Sequence, residues 1–479
     1  MQLLKKYLKM KLVGSLLALF VVTCIFHFGI LLAAYSSSDV IGQTDGSGEA
    51  DYVGGSRNDG IVTNSNFGMV NPGGIAFDPA GQKIFIVDTS THRILVFNTD
   101  AFGVPLDHFA DAVLGQQDFY DYTPGTTAAT LSTPEDVEFD SVRNYLYVSD
   151  SSNNRVLVFD VATVTTGESA IKVLGQPDLV TGDFNVTADG MGNPTGIEFF
   201  NSTTDLLFVA DTDNSRVLVY DLGTDASGVT TGQSATRVLG QSDFVSFTGT
   251  LTATGLYAPS DVAVFDDEMS NYLFVADVGN NRVVTYNIDV IVNGEAGILF
   301  LGQEDATSFN IDCTFGANTF CIPVSLDVQV RGSVNKLWVS DSNHNRIVGF
   351  TIKPLPEALE IEHVYGHTDV TGGTPGSTFF TSTPRYVNYF NTDLLFVSAD
   401  NDHRVVVFDV NTPIDGEVAI DVYGQITNGN VDLDSIENYF PFNNQISSTG
   451  LDIEGNSSHT YVDTTNHKMY VSDSANNRV

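Results

Sequence analysis

Basic side chains are scarce in this chain. Its 479 residues include 21 Lys and Arg against 59 Asp and Glu, a formal net charge of −38. Phosphate-backbone binding needs clustered Lys and Arg, so the balance argues against nucleic acid as a partner. Docking on an anionic membrane surface is excluded on the same ground. Cysteine is nearly absent: Cys24, Cys313 and Cys321 are the only three. Three cannot build a disulfide framework, so a packed core must hold the fold. Tryptophan occurs once, and charged residues make up only 17% of the chain. Gly (43), Phe (32) and Tyr (18) are plentiful, within a 42% hydrophobic composition. That apolar content excludes a disordered acidic tail. Gly turns with aromatic and β-branched residues point to an all-β chain.

The N-terminus has its own character. Lys5, Lys6, Lys9 and Lys11 precede Leu12–Ala34, 23 residues without a charge. A basic region followed by an apolar run is an export signal. The run exceeds the usual signal core of about 7–15 residues and reaches the roughly 20 that span a bilayer. A cleaved peptide, with Ala34-Tyr35-Ser36 as its site, and an uncleaved anchor are both compatible with it. A lipoprotein reading at Cys24 is weaker, because Val21-Val22-Thr23 offers no small residue before the cysteine and apolar sequence continues beyond it. Residues 1–38 are therefore expected to be a signal peptide or anchor. Residues 39–479 are expected outside the cytoplasm, secreted or at the cell surface, touching a membrane only through the N-terminal segment. The exported part holds 17 basic and 59 acidic residues, a net of −42. In such a compartment a local disulfide between Cys313 and Cys321 is favoured over two thiols.

The remainder is a repeat. One block is a Pro followed by an apolar strand, as in Pro72-Gly-Gly-Ile-Ala-Phe-Asp78 and Pro134-Glu-Asp-Val-Glu-Phe-Asp140. It recurs from Pro194, Pro259, Pro323 and Pro384, with a seventh copy expected at Thr449-Gly-Leu-Asp-Ile-Glu454. A second block is a strand, an Asp, four residues, an Arg and another strand. Its pairs are Asp88/Arg93, Asp150/Arg155, Asp211/Arg216, Asp277/Arg282, Asp341/Arg346 and Asp473/Arg478; the sixth copy has Ala399 with Arg404. A third block is a strand ending in Gly-Gln-x-Asp, as at Gly115, Gly175, Gly240 and Gly302. Each period of about 62 residues thus holds four short strands, a, b, c and d, separated by turn residues. One such sheet cannot bury both faces, whereas a radial array can. The expected fold is a β-propeller of four-stranded antiparallel blades, seven in number with six as the alternative. A leading d strand at Asp39–Gly42 would close the ring. The last blade is expected to be truncated at Val479, where other copies continue.

The Asp-x4-Arg hairpin preceded by Pro-x-Gly-Ile-x-Phe-Asp resembles the NHL repeat. Thr91-His92-Arg93-Ile94, Asn153-Asn154-Arg155-Val156 and Asp402-His403-Arg404-Val405 keep parts of its signature. The resemblance runs from about residue 39 to 479, and the Gly-Gln-x-Asp element is similar to that of exported bacterial NHL-repeat proteins. It implies a propeller of six or seven blades. The family includes protein-binding and RNA-binding propellers, sensor ectodomains and a few enzymes, so it does not decide function.

The Asp/Arg columns read as structural, since a catalytic group is not needed seven times. They face each other across the b–c turn, where a carboxylate accepts turn N–H groups and pairs with a guanidinium. The Gly-Gln-x-Asp column reads likewise: Gly for a positive-φ turn, Gln and Asp to cap loop backbone. Strand a carries a less expected set, Glu138, Glu198, Asp327, Asn388 and Asp452, at one position of successive copies. If strand a lines a channel, these form a partial acidic ring whose members raise one another's pKa unless a cation neutralises them. No cofactor is required, but Ca²⁺ is the cation that such a ring would take. A hydrated channel is the plainer alternative. No zinc spacing, nucleophile elbow or P-loop occurs.

The d–a loops after Gln116, Gln176, Gln241 and Gln303 are long, and long loops on a rigid scaffold commonly bind ligands. The leading expectation is a monomeric exported propeller that recognises a protein or glycan through this loop face. Whether it is an enzyme stays open, with the balance against. A channel-metal lyase or lactonase would use residues that break the repeat, such as Glu135, Asp136, Asp261 and Arg385. A structural surface or adhesin segment is the third reading.

Overall fold

The computed structural model describes residues 72–365, apart from 100–105, 107–108, 225–227, 268, 304, 308–318, 332–333 and 353–358. Beyond 365 it describes strand backbones and the side chain of Val397. The chain divides into two compact units, Met1–Ser36 and Ser37–Val479. Residues 1–71, with the export segment and the expected strand at Asp39–Gly42, lie outside the described set. Among the described residues no helix is long and apolar enough to cross a membrane.

Six four-stranded antiparallel sheets follow one another along the chain. The second is representative. Pro134–Asp140 (a), Tyr145–Asp150 (b), Arg155–Asp160 (c) and Lys172–Leu174 (d) pair in that order. The a strands are neighbours from one sheet to the next: Pro72–Asp78, Pro134–Asp140, Pro194–Phe200, Pro259–Asp266, Pro323–Arg331 and Pro384–Phe390. Thr460–Asp463 neighbours the last of these and also the first. Sheets standing side by side around their a strands make a β-propeller.

The strand in this seventh place is Thr460–Asp463, paired with Lys468–Val471; the expected copy at Thr449–Glu454 lies outside the described residues. Asp463 sits opposite Lys468 as Asp78 sits opposite Lys83, so the tight a–b turn sets the register. Tyr461, opposite Tyr470, takes the ring position that Ala76 holds opposite Phe85. Asp452 lies outside the described residues.

Packing follows from strand periodicity. Alternate residues of strand b point to opposite neighbours. Leu146 and Val148 join Phe85, Val87, Ile94 and Val96 between the first two sheets. Tyr147 joins Leu207, Val209 and Leu218 between the second and third. Both faces are thus buried, which is why b and c strands read as unbroken apolar runs.

At the b–c hairpin the polar groups converge. Asp150 Oδ2 accepts from Arg155 Nε at 2.7 Å and from Asn153 at 2.9 Å, while Oδ1 accepts Ser132 N–H at 2.6 Å. Ser132 belongs to the preceding d–a loop. The guanidinium continues outward to the carbonyls of Thr126, Thr127 and Thr130 in that loop, and of Leu179 in the next. Arg216 repeats this with Val186, Thr187, Gly190 and Phe244, and Arg282 with Thr252, Gly255 and Ala306. Arg93 and Arg346 pair with Asp88 and Asp341 at 3.0 and 2.7 Å. All five guanidinium-bearing residues are fully buried. In the sixth sheet Ala399 stands opposite Arg404; Asp473 and Arg478 lie outside the described residues.

The residue before each Arg is in the left-handed region: His92, Asn154, Ser215, Asn281 and Asn345, with φ between 53° and 57°. Its side chain reaches the base of the following loop. His92 Nδ1, Asn154 Oδ1 and Asn281 Oδ1 accept the N–H of Thr133, Asn193 and Ile322 at 2.9–3.0 Å. Those acceptors hold strained backbone, since Thr133 and Ile322 are β-branched residues at φ 51° and 59°. Outer edges are covered too. Gly167 N–H donates to Val113 O, Gly232 N–H to Val173 O and Gly294 N–H to Val238 O, so these three c–d loops lap the d strand of the preceding sheet.

Replacing Asp211 by Ala leaves the Arg216 guanidinium buried without its anion. The expected loss is about 3–5 kcal/mol in urea unfolding. Asp213→Ala, an exposed change in the same turn, is expected within about 0.5 kcal/mol. Equal effects of the two would contradict the hub.

Candidate functional site: the central carboxyl cavity and the loop face

The a strands of the second to fifth sheets, with Ile75 of the first, line a cavity of about 560 Å³. Its lining includes Glu135, Asp136, Glu138, Glu198, Asp261 and Asp327, with Val137, Ile197, Val262 and Leu326 between them. Among the described residues no Lys, Arg or His lines it. The structure thus brings Glu138, Glu198 and Asp327 together. Asn388 lies on its a strand opposite Phe396, its side chain outside the described residues, as is that of Arg385.

Two of the acids sit where strand a bulges. Asp136 Oδ1 accepts its neighbour Val137 N–H at 2.9 Å, and Oδ2 accepts Ile197 N–H of the next sheet at 3.1 Å. Asp261 does the same with Val262 and with Leu326 of the fifth sheet, at 2.9 and 3.1 Å. Glycine on the preceding sheet makes the space: a Cβ on Gly74 would lie 2.5 Å from Asp136 Oδ1, and one on Gly196 2.9 Å from Asp261 Oδ1. The Gly–Asp–Gly–Asp alternation of this column is therefore a pair of inter-sheet staples. In the sequence these two acids stand out only as breaks in the repeat.

Burial dominates their electrostatics. Desolvation lifts Asp136 and Asp261 to about 7 against the pull of their N–H donors. It lifts Glu198 to about 8, aided by Asp261 and Asp327. Glu138 rises well above the ordinary carboxylate range by burial and by repulsion from Glu198, Asp136 and Asp140. The hairpin carboxyls are as deeply placed, yet their Arg partners hold Asp150, Asp211 and Asp277 to about 6. The contrast is a missing cation: the hairpin carboxyls have one and the cavity has none among the described residues. No group of three or more His, Cys, Asp or Glu side chains among the described residues is arranged to hold a metal ion.

The loop face lies at the hairpin end. There Gly115, Gly175, Gly240 and Gly302 have φ of 81–90°. Gln116, Gln176 and Gln241 each donate through Nε2 to a b–c hairpin carbonyl and to a loop carbonyl seven residues on, as Gln176 does to Asn154 O and Asp183 O at 2.8 Å; Gln303 donates to Asn280 O and Asn281 O. Asp178 Oδ1 accepts Val180 and Thr181 N–H at 2.9 Å. His344 Nδ1 lies 2.8 Å from Asp341 Oδ2, in the place Asn153 takes beside Asp150. Burial depresses the His92 pKa despite Asp88, in keeping with Nδ1 as an acceptor. Cys321 is disulfide-bonded, its partner lying outside the described residues; its N–H donates to Asp341 Oδ1 at 2.6 Å. One ion-pair network was not legible in sequence: Arg143 in the second a–b turn pairs with Asp140 at 2.8 Å and with Asp205 of the third sheet at 2.7 Å.

No family model matches the sequence, and no curated protein matches it. Solved structures similar to it include hydrazine synthase from Kuenenia stuttgartiensis, at 14% identity and TM-score 0.49 over 88% of this chain and 97% of that one. Periplasmic gluconolactonase from Pseudomonas aeruginosa gives 15% identity and TM-score 0.47 over 73% and 84%. Virginiamycin B lyase from Staphylococcus aureus gives 15% and 0.42 over 73% and 87%. Likeness this distant transfers no activity.

The raised carboxyls bind protons more tightly folded than unfolded. Stability is therefore lost as pH rises from the unfolded carboxylate range near 4 through their folded values of about 7–8. The melting temperature is expected to fall between pH 6.5 and 8.5. Glu138→Gln with Glu198→Gln should flatten the slope and stabilise the protein at pH 8.5 by about 1–3 kcal/mol. The same scan with Ca²⁺ tests the cation expectation. A rise in melting temperature at pH 8.5 supports a site; an unchanged curve removes it.

Proposed function

We propose that the chain is an exported NHL-type β-propeller that works as a binding module, recognising its ligand through the face of d–a loops and b–c hairpins. One observation carries this reading. Large exposed apolar side chains gather on that face in three successive loops: Tyr120 and Tyr122, then Val180 and Phe184, then Val245, Phe247 and Tyr257, each 51–66% exposed. Contiguous exposed apolar groups on a folded surface mark interaction sites. The loops that carry them are held by buried Arg residues rather than left free, so little ordering is needed on binding. Export is supported by the N-terminal signal pattern. A lyase or lactonase reading would place its chemistry in the cavity, where the described residues offer carboxyls with Ser260 and Ser325, and no specific observation favours it over the loop face.

Binding of the labelled protein to a cell-envelope fraction tests the reading. Replacing Tyr120, Tyr122, Val180, Val245 and Phe247 by Ser is expected to weaken binding at least tenfold. Replacing Val142 and Met269, exposed at the opposite end, is expected to leave it unchanged. Binding indifferent to the loop variant would overturn the proposal.

A further inference from the structure

Two of the loop aromatics are seated on glycine, and the seats are exchanged between neighbouring loops. In the loop after Gln176, Phe184 is eight residues on and Gly192 sixteen. In the loop after Gln241, Gly249 is eight residues on and Tyr257 sixteen. The two loops share one backbone path: Asn185 N–H bonds Met191 O at 3.2 Å, as Thr250 N–H bonds Leu256 O at 3.1 Å. A Cβ on Gly192 would lie 2.3 Å from Phe184 Cε2, and one on Gly249 would lie 2.4 Å from Tyr257 Cδ2. Gly279 of the adjacent hairpin closes on Tyr257 from a second direction, its Cβ position 2.6 Å from Cδ1. Either loop could have kept both small residues or packed a ring inward. Instead each sets one aromatic against a glycine and leaves it half exposed, at 53% for Phe184 and 51% for Tyr257.

A ring packed against a glycine of its own loop keeps fewer rotamers, so less order is lost when a ligand arrives. Its π-system attracts the weakly positive C–H groups of a ligand. The same two loops carry acids, Asp178 six residues before Phe184 and Asp243 fourteen before Tyr257. Asp178 and Asp243 each bind two loop N–H groups through Oδ1, at 2.8–3.0 Å. Those bonds keep both carboxyls below the ordinary carboxylate range, hence ionised. Fixed aromatic surface in loops that also present carboxylate acceptors suits a ligand with apolar C–H faces and many hydroxyl donors. It repels polyanions. Resting on the loop-face reading above, we infer that Phe184 and Tyr257 are stacking platforms for a neutral polysaccharide, with Asp178 and Asp243 accepting sugar hydroxyls.

Affinity electrophoresis of the full chain tests this with three probes: barley β-glucan and galactomannan, which are neutral, and polygalacturonate, which is anionic. Retardation by at least one neutral polymer and none by the anionic one is expected. Phe184→Ala and Tyr257→Ala should each weaken retention about 5–20-fold, the stacking of one ring being worth roughly a tenfold change. Phe184→Tyr and Tyr257→Phe should retain it, and unchanged melting temperatures of the Ala variants will show that they fold. Retention of no neutral polymer, or retention indifferent to both Ala variants, would overturn the inference. The envelope fraction separates this failure from failure of the wider reading. Binding destroyed by periodate but not by proteinase supports the glycan. Binding destroyed by proteinase alone overturns the glycan and leaves the loop face standing. Binding that ignores the loop side chains removes both.

Discussion

Everything at the hairpin end of the propeller depends on a guanidinium taken out of water. A buried Arg is costly unless its charge and its N–H groups are all met. Here a hairpin Asp supplies the charge, and loop carbonyls supply most of the remaining acceptors. Because Arg216 bonds Val186, Thr187 and Gly190 on one side and Phe244 on the other, it cannot be satisfied unless two consecutive d–a loops are in place. The Asp is equally exacting: Asp211 needs Gly192 N–H, Asn214 and Arg216 together. Strand b, strand c and two loops thus become one cooperative unit. The strained residues before the prolines, and the loop turns at Gly175 and Gly240, are held by the same network.

The arrangement connects fold to surface. Long loops would ordinarily be mobile, and mobile loops bind at an entropic cost. Pinning their carbonyls to a buried cation lets them display Tyr120, Val180, Phe184, Val245 and Tyr257 in fixed positions. The centre of the propeller is organised differently. There Asp136 and Asp261 staple sheets through backbone N–H groups, and burial shifts them, with Glu138 and Glu198, toward their protonated forms. One end of the molecule thus consumes its scarce Arg residues, while the axis is left acidic.

The fold was legible because repetition makes weak signals add. Apolar alternation in one strand proves little, yet the Pro, Asp, Arg and Gly-Gln columns recur in fixed order and leave few alternatives. The hairpin Asp and Arg could be assigned their partners from spacing alone, since the turn between them is short. Glu138, Glu198 and Asp327 could be placed together because they share one register. Features made once were hidden. Arg143 and Asp205 lie 62 residues apart, and neither belongs to a column. The staples of Asp136 and Asp261 require knowing that a glycine stands beside each on the previous sheet. The strand at Thr460–Asp463 carries no Pro and no apolar pattern of the other copies, so composition hid it; spacing did not, since Asp463 precedes Asp473 by ten residues, as Asp78 precedes Asp88 and Asp140 precedes Asp150. Charge, for its part, argues only about the class of partner, and the loop-face proposal rests on the placement of the aromatics.

Hydrogen exchange in an Arg216→Met variant tests the central claim most directly. If the guanidinium holds two loops, amides around 185–191 and 244–250 lose protection together, while Leu207–Ala210 in the strand core keeps theirs. Loop protection that survives the substitution, or a uniform loss across the third sheet, would contradict the account.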